Sequence, residues 1–165
     1  MNPTISLLGS GQTRFGELWE KSLKDLISEA SMLAIENAGI RAEDIDLVIV
    51  SNMLGERGSD QAHLGSIASS LLLHKPSALR IESACGSGAL ALSTACAYLE
   101  SGRAETVLVI GAEKMTDVST EEISEALMGA ADAELDQPAG LTFPGIFGLV
   151  AARYMQDYGL SRDDL

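Results

Sequence analysis

The chain has 165 residues, 46% of them apolar but only 4% aromatic, and its 24 acidic against 11 basic side chains give a formal net charge of −13. That length suffices for one domain with a real core, filled largely through small-residue contacts. The charge argues against nucleic acid and anionic membrane surfaces as partners, and it leaves no broad basic patch for a phosphorylated ligand.

The sequence opens without a basic n-region or a long apolar run, and its two cysteines read as reduced thiols, which together predict a cytoplasmic protein. Residues 4–8 predict a first strand, followed by the glycine-rich loop GSGQTRFG over 9–16. Gly9, Gly11 and Gly16 lack the third glycine of a dinucleotide-binding fingerprint, and no acidic residue closes a second strand about twenty residues on. From 17 to 38, Trp19, Leu23, Leu26, Ile27, Ala30, Leu33, Ala34 and Ala38 recur at three- and four-residue intervals before Gly39, the pattern of an amphipathic helix covering a sheet. Residues 46–51 form a short, nearly continuous apolar run of the kind found in a parallel strand covered on both faces. A loop over 52–60 and a helix over 61–73 follow, and Pro76 ends that element.

Residues 79–102, LRIESACGSGALALSTACAYLESG, organise the rest. Leu79 and Ile81 alternate with Arg80 and Glu82 as in a strand. An uncharged run then continues to Glu100, which predicts a helix buried on nearly all sides. A fourth strand is expected over 106–110. This alternation of strands and helices is the signature of an α/β fold with right-handed crossovers, helices layered on a mostly parallel sheet, and ligands beyond the carboxyl ends of the strands. The core so defined covers residues 1–112. From 113 to 165 the character changes to an acidic, irregular segment containing a short helix over 121–128, a glycine- and proline-rich stretch over 138–148, and a helix over 146–157 closed by Gly159. This segment reads as an excursion above the sheet rim, placed where it could cover Cys85. Ser161 with Asp163 and Asp164 reads as an N-cap that announces a further helix, so the chain is expected to be part of a longer polypeptide or of an assembly.

Cys85 stands at the strand-to-helix turn Ala84-Cys85-Gly86-Ser87-Gly88. At such a turn a side chain projects above the sheet and the unpaired amides of the first helical turn point at whatever binds there. The positive end of a helix favours thiolate over thiol, so Cys85 is a candidate acyl acceptor with its own N–H as an oxyanion donor. Gly86 and Gly88 would let an acyl group and its carrier approach the backbone closely. The competing reading is a small packing cysteine beside glycines that permit close contact. Cys96, about three helical turns on, is expected to face the same way and to be buried deeper, too far along the axis for a disulfide or a shared metal site. Of the two histidines, His63 falls on the active rim, as a capping or packing residue or as a catalytic base, whereas His74 falls on the opposite rim, at the surface.

Taken together, GQTRFG at 11–16, ACGSG at 84–88, GAEKM at 111–115 and PGIFG at 144–148 give the chain its resemblance to the N-terminal part of a thiolase, nearest the archaeal and sterol-carrier-protein-linked type. The resemblance extends over the whole chain. It implies an acyl-CoA acyltransferase that is acylated at Cys85, whose amide forms half of an oxyanion hole. It implies no metal and no cofactor, with coenzyme A entering as substrate or product, and a loop domain over about 115–157 covering the thioester. A homodimer is implied too, with the strand at 79–83 pairing across the two-fold. The catalytic histidines and second cysteine of a thiolase belong to its second half, which this sequence does not match. A ketoacyl-synthase-like condensing enzyme using an acyl carrier protein, and a noncatalytic or partner-dependent subunit, are the alternatives.

Overall fold

A computed structural model describes residues 4–164. Three parallel strands, β1 (Leu47–Ser51), β2 (Ser77–Ile81) and β3 (Val107–Gly111), form one sheet in the order β2-β1-β3. Leu47 pairs with Ser77 on one side and Val107 on the other, and Ser51 pairs with Ile81 and Gly111. All three carboxyl ends therefore reach one rim at the same level. The expected α/β class is present: β1 is buried along its whole length because both sheet faces are covered. Val48 and Val50 pack with Leu23, Ile27 and Ile35 of α1 (Leu23–Ala38) and with Leu64 and Ala68 of α3 (Leu64–Ser70). Leu47 and Ile49 point the other way, onto Ala91 and Ala95 of α4 (Ser87–Glu100). Each such fully buried aliphatic side chain contributes about 1.5–3 kcal/mol.

The chain divides into two compact units between Val118 and Ser119. The first holds the sheet, α1, α3, α4 and the short α2 (Gly55–Gly58). The second holds α5 (Thr120–Leu127), a 3₁₀ turn (Met128–Ala130) and α6 (Phe143–Tyr158). No helix among the described residues is long and apolar enough to cross a membrane.

Capping chemistry sets the helix boundaries. Apolar periodicity predicts α1 from residue 17, but the helix starts at Leu23 because Ser22 and Asp25 form a reciprocal capping box; Trp19 is left outside it and 61% exposed. Gly39, at φ 67°, ends α1 in the left-handed conformation that glycine adopts without penalty. Ser119 and Glu122 form the corresponding box of α5, and Thr142 caps α6 by accepting from the Gly145 N–H. At Ser161, where a cap is expected, the N–H and the hydroxyl each donate to Asp164 Oδ2 at 2.8 Å ahead of the 3₁₀ turn Arg162–Asp164, so the hydroxyl acts as a donor and does not accept an amide as a capping serine does.

Several expectations are corrected. Residues 4–8 form no strand, so the sheet has three strands and not four, and Leu7 is 86% exposed. The outer edges of β2 and β3 stay open and residues 4–8 pair with neither; the segment after residue 8 is held on α1, where the Ser10 N–H donates to Asn37 Oδ1. That close approach explains the first two glycines: a Cβ on Gly9 would lie 2.5 Å from the Ala38 nitrogen, and one on Gly11 2.5 Å from the Ala34 nitrogen. The expected helix over 61–73 is shorter. Helix α4 is not buried on nearly all sides, since only Ser87, Ala91 and Ala95 form its buried stripe while Leu90 and Leu92 are exposed. Cys96 is likewise exposed, because one residue beyond Ala95 is a rotation of about 100° away from that stripe.

Replacing Gly11 by Ala should lower stability by about 1–3 kcal/mol, because backbone of α1 stands in the way. Gly88→Ala, where a Cβ meets nothing within 4 Å, should cause no such loss in a thermal melt. The capping boxes predict an acid dependence. The Ser22 hydroxyl and then its N–H hold the Asp25 carboxyl below the usual range, and the Ser119 N–H and then its hydroxyl do the same for Glu122. Because these folded values are depressed, their stabilisation is complete above the ordinary carboxylate value and is lost as pH falls through the folded one. NMR titration of Ser22→Ala should raise the Asp25 value part of the way toward the ordinary carboxylate range, the retained N–H of residue 22 still holding it down, and leave Glu122 depressed.

Candidate active site

Strand β2 leads into a turn in which Ala84 takes φ +44°, followed by a 3₁₀ turn (Ala84–Gly86) that runs into α4. A left-handed conformation at a residue with a Cβ costs on the order of 1–2 kcal/mol, so something must hold it. The buried Ser87 hydroxyl accepts from the Ser83 N–H at 2.8 Å and donates to the Ala84 carbonyl at 2.7 Å. The Ala84 N–H donates to the Glu82 carboxylate, and the Gly86 N–H to the Ser83 carbonyl at 2.8 Å. The Ser87 N–H closes the 3₁₀ turn onto the Ala84 carbonyl. Among the described residues the Cys85 N–H has no such partner, and the Cys85 side chain is exposed and free. The turn therefore presents a thiol and an uncommitted amide donor from one residue.

Beside it, a cavity of about 460 Å³ opens at the carboxyl ends of the strands. Its wall includes Ser51 and Gly111 at the ends of β1 and β3, Ala84 and Ser87 from the turn, and Arg14 and Phe15 from the first loop. Cys85 itself does not line it.

Side chains that the sequence reading did not single out hold this rim together. The Glu113 carboxylate accepts from Asn52 Nδ2 at 2.7 Å, from the Met53 N–H at 2.9 Å and from the Leu54 N–H at 3.2 Å. Asn52, 3% exposed, also donates to the Ala112 carbonyl and accepts from the Gly55 N–H, so the backbone leaving β1 is clamped to the backbone leaving β3. From β2, Arg80 donates to the Met53 carbonyl at 3.2 Å and faces Glu56. Lys114, 5% exposed, donates to the Leu18 carbonyl and to Thr116 Oγ1 and pairs with Asp117 at 3.0 Å, which ties the first loop to the same exit. The available signal was the pair Glu113-Lys114 placed immediately after an apolar strand, and a lone serine, Ser87, between two glycines.

The other candidates scatter. Gly86 and Gly88 have room: an added Cβ would meet only Ser83 Oγ, at 3.6 Å, at the first and nothing at the second. Nothing within the chain demands glycine at either position. His63 occupies the N-cap position of α3, is exposed, makes no side-chain capping bond and lies outside the cavity wall. His74 is exposed at the opposite rim as expected, where its Nε2 lies 2.8 Å from the Ile45 carbonyl and donates to it in that tautomer. Cys96 lines a separate open groove beside β3.

The family model described as thiolase, N-terminal domain, matches residues 5–165. The acetyl-CoA acetyltransferase of Methanocaldococcus jannaschii is 43% identical over 98% of this chain and 41% of its own length. That of Methanothermobacter thermautotrophicus is 39% identical over 98% of this chain and 42% of its own length. This chain thus spans about two fifths of the length of these relatives. Among solved structures, the priming β-ketosynthase of the R1128 polyketide biosynthetic pathway superposes with a TM-score of 0.52 at 28% identity, over 69% of this chain and 34% of that one. By the extent of the family match and its agreement with the parallel sheet and its rim, the chain belongs to the thiolase family, through the N-terminal domain.

Proposed function

We propose that this chain supplies the acyl-cysteine half of an acyl-CoA acyltransferase, with Cys85 as nucleophile and its N–H as one oxyanion-hole donor. The observation that carries this reading is the exposed Cys85 thiol at the carboxyl end of the sheet beside its own unpartnered amide. Cys85 Sγ gives its proton to a base and attacks the thioester carbonyl of an acyl-CoA, and a carbon–sulfur bond forms as the carbonyl oxygen becomes an oxyanion. The Cys85 N–H donates to that oxygen, where a fixed donor acts most strongly on developing charge. Collapse breaks the bond to coenzyme A, whose thiolate takes up a proton, and the acyl group remains on Cys85. Open space at Gly86 and Gly88 suits the approach of the acyl group and its carrier.

The base is not assigned to His63, which is exposed at the N-cap position of α3 and makes no hydrogen bond to Cys85 among the described residues. We assign it, with the remaining acid–base group, to sequence that the longer relatives carry in addition, in the same polypeptide or in a partner chain. The reading also places the protein in the cytoplasm and in a dimer or larger assembly. Coenzyme A is favoured over an acyl carrier protein because the likeness to acetyl-CoA acetyltransferases covers 98% of the chain and that to the ketosynthase 69%.

Acetyl-CoA labelled in the acetyl group, followed by acid quench and peptide mapping, tests this. Because Cys85 and Cys96 share the tryptic peptide 81–103, the label is placed by fragmentation within it: it should sit on Cys85, be absent from Cys96, and disappear in Cys85→Ala. Each acid–base group supplied to the step by additional sequence typically contributes about 10²–10⁴-fold, so acylation of these 165 residues alone should be correspondingly slow. Since both thiols are exposed, burial cannot produce the difference, and label on Cys96 alone or on neither cysteine would overturn the assignment.

A further inference from the structure

We propose that Ser87 is a positioning residue of the acylation step, fixing the Cys85 amide where the oxyanion forms; this rests on the reading of Cys85 as the acylated group. The hydroxyl bridges the turn just before the cysteine, taking the Ser83 N–H at 2.8 Å and giving its proton to the Ala84 carbonyl at 2.7 Å. These two contacts enclose Ala84, whose φ of +44° is disfavoured for any residue with a Cβ. The peptide plane between Ala84 and Cys85 carries both the carbonyl that Ser87 grips and the N–H that Cys85 leaves uncommitted. Holding one end of that plane therefore sets the direction of the other. Ser87 is 6% exposed, so water does not readily take over the hydroxyl's bonds.

Without the hydroxyl, Ala84 is free to return toward negative φ, and the Ala84–Cys85 peptide rotates with it. The thiol stays exposed and keeps its capacity to attack, while the donor leaves the place where charge develops. Ser87 thus acts on the oxyanion and not on the sulfur. Glu82 completes the arrangement from the other side by accepting the Ala84 N–H, which keeps that neighbouring amide from competing for the oxyanion. The tetrahedral intermediate then sees one donor from the chain, in one orientation.

Two reactions at the same sulfur separate these effects. Acetylation by acetyl-CoA passes through an oxyanion; alkylation by iodoacetamide displaces iodide from a saturated carbon and forms none. In Ser87→Ala, acetylation of Cys85 should slow by about 10²-fold, the usual cost of a misplaced donor, while the alkylation rate stays close to that of the unsubstituted protein. Introducing Ala84→Gly should shrink the acetylation loss caused by Ser87→Ala, because glycine carries no left-handed penalty for the hydroxyl to offset. Equal acetylation rates for Ser87→Ala and the unsubstituted protein would overturn the proposal. So would a parallel fall of acetylation and alkylation, or an undiminished loss in the Ala84→Gly background, since either marks a general structural role. Failure of the unsubstituted protein to acetylate at Cys85 would instead overturn the acyl-cysteine reading, and the role of Ser87 with it.

Discussion

The burial of β1 on both faces and along both edges is the constraint on which the other features depend. Its five residues are all buried, with Val48 and Val50 in one helical layer and Leu47 and Ile49 in the other. A strand so placed cannot shift register by one residue without exchanging its two side-chain sets, and the two layers differ. Large aliphatics from α1 and α3 face one side, and alanines of α4 face the other. The register fixed in this way brings Ser51, Ile81 and Gly111 level, and the chain leaves all three strands at a common rim. Everything chemically suggestive in the first unit follows from that alignment.

At the rim the backbone must leave the sheet without losing its hydrogen bonds, and here polar side chains take over from strand pairing. Asn52 and Glu113 continue the connection between β1 and β3 after their ladder ends, and Arg80 continues that between β1 and β2. A carboxylate that accepts two backbone amides and a side-chain amide is a strong anchor, since charge-assisted bonds exceed neutral ones. Lys114 is buried while its partner Asp117 is exposed, so removal of Asp117 would leave the lysine's charge unpaired in a poorly hydrated place, whereas removal of Lys114 would leave a solvated carboxylate. This polar belt ties together the elements that form the cavity wall.

Much of this was legible in the sequence, and the parts that were not have physical reasons. The three strands and the main helices follow from periodicity, because burial writes itself into residue order when both partners are local in sequence. The start of α1 was misplaced because Trp19 continues an apolar pattern that the capping box at Ser22 overrides. Residues 4–8 have strand composition, but composition does not reveal which strand they would pair with, and they join neither of the open outer edges of β2 and β3. Cys96 was misassigned because an uncharged helix gives no polar face from which to orient the buried stripe; alanines, not leucines, turned out to form it. The bonds of Glu113 to Asn52 and Met53 join residues some sixty positions apart, and Lys114 reaches back to Leu18; no local pattern announces such partnerships.

The two cysteines show what exposure alone leaves undecided. Both are free and both are exposed, so solvent access does not distinguish a reacting thiol from a bystander. What differs is the backbone beneath them. Cys96 lies ten residues into α4, where its N–H belongs to the regular ladder of the helix. Cys85 precedes that helix, on a turn held in a disfavoured conformation by hydrogen bonds that engage the neighbouring amides and leave its own unpaired. An unmade hydrogen bond beside a nucleophile has a use only when a charge arrives that the bond can meet. On the proposed acyl-cysteine reading, the selection of one thiol over the other would be a property of main-chain geometry, with the side chains around it acting chiefly through the dihedral angles they enforce.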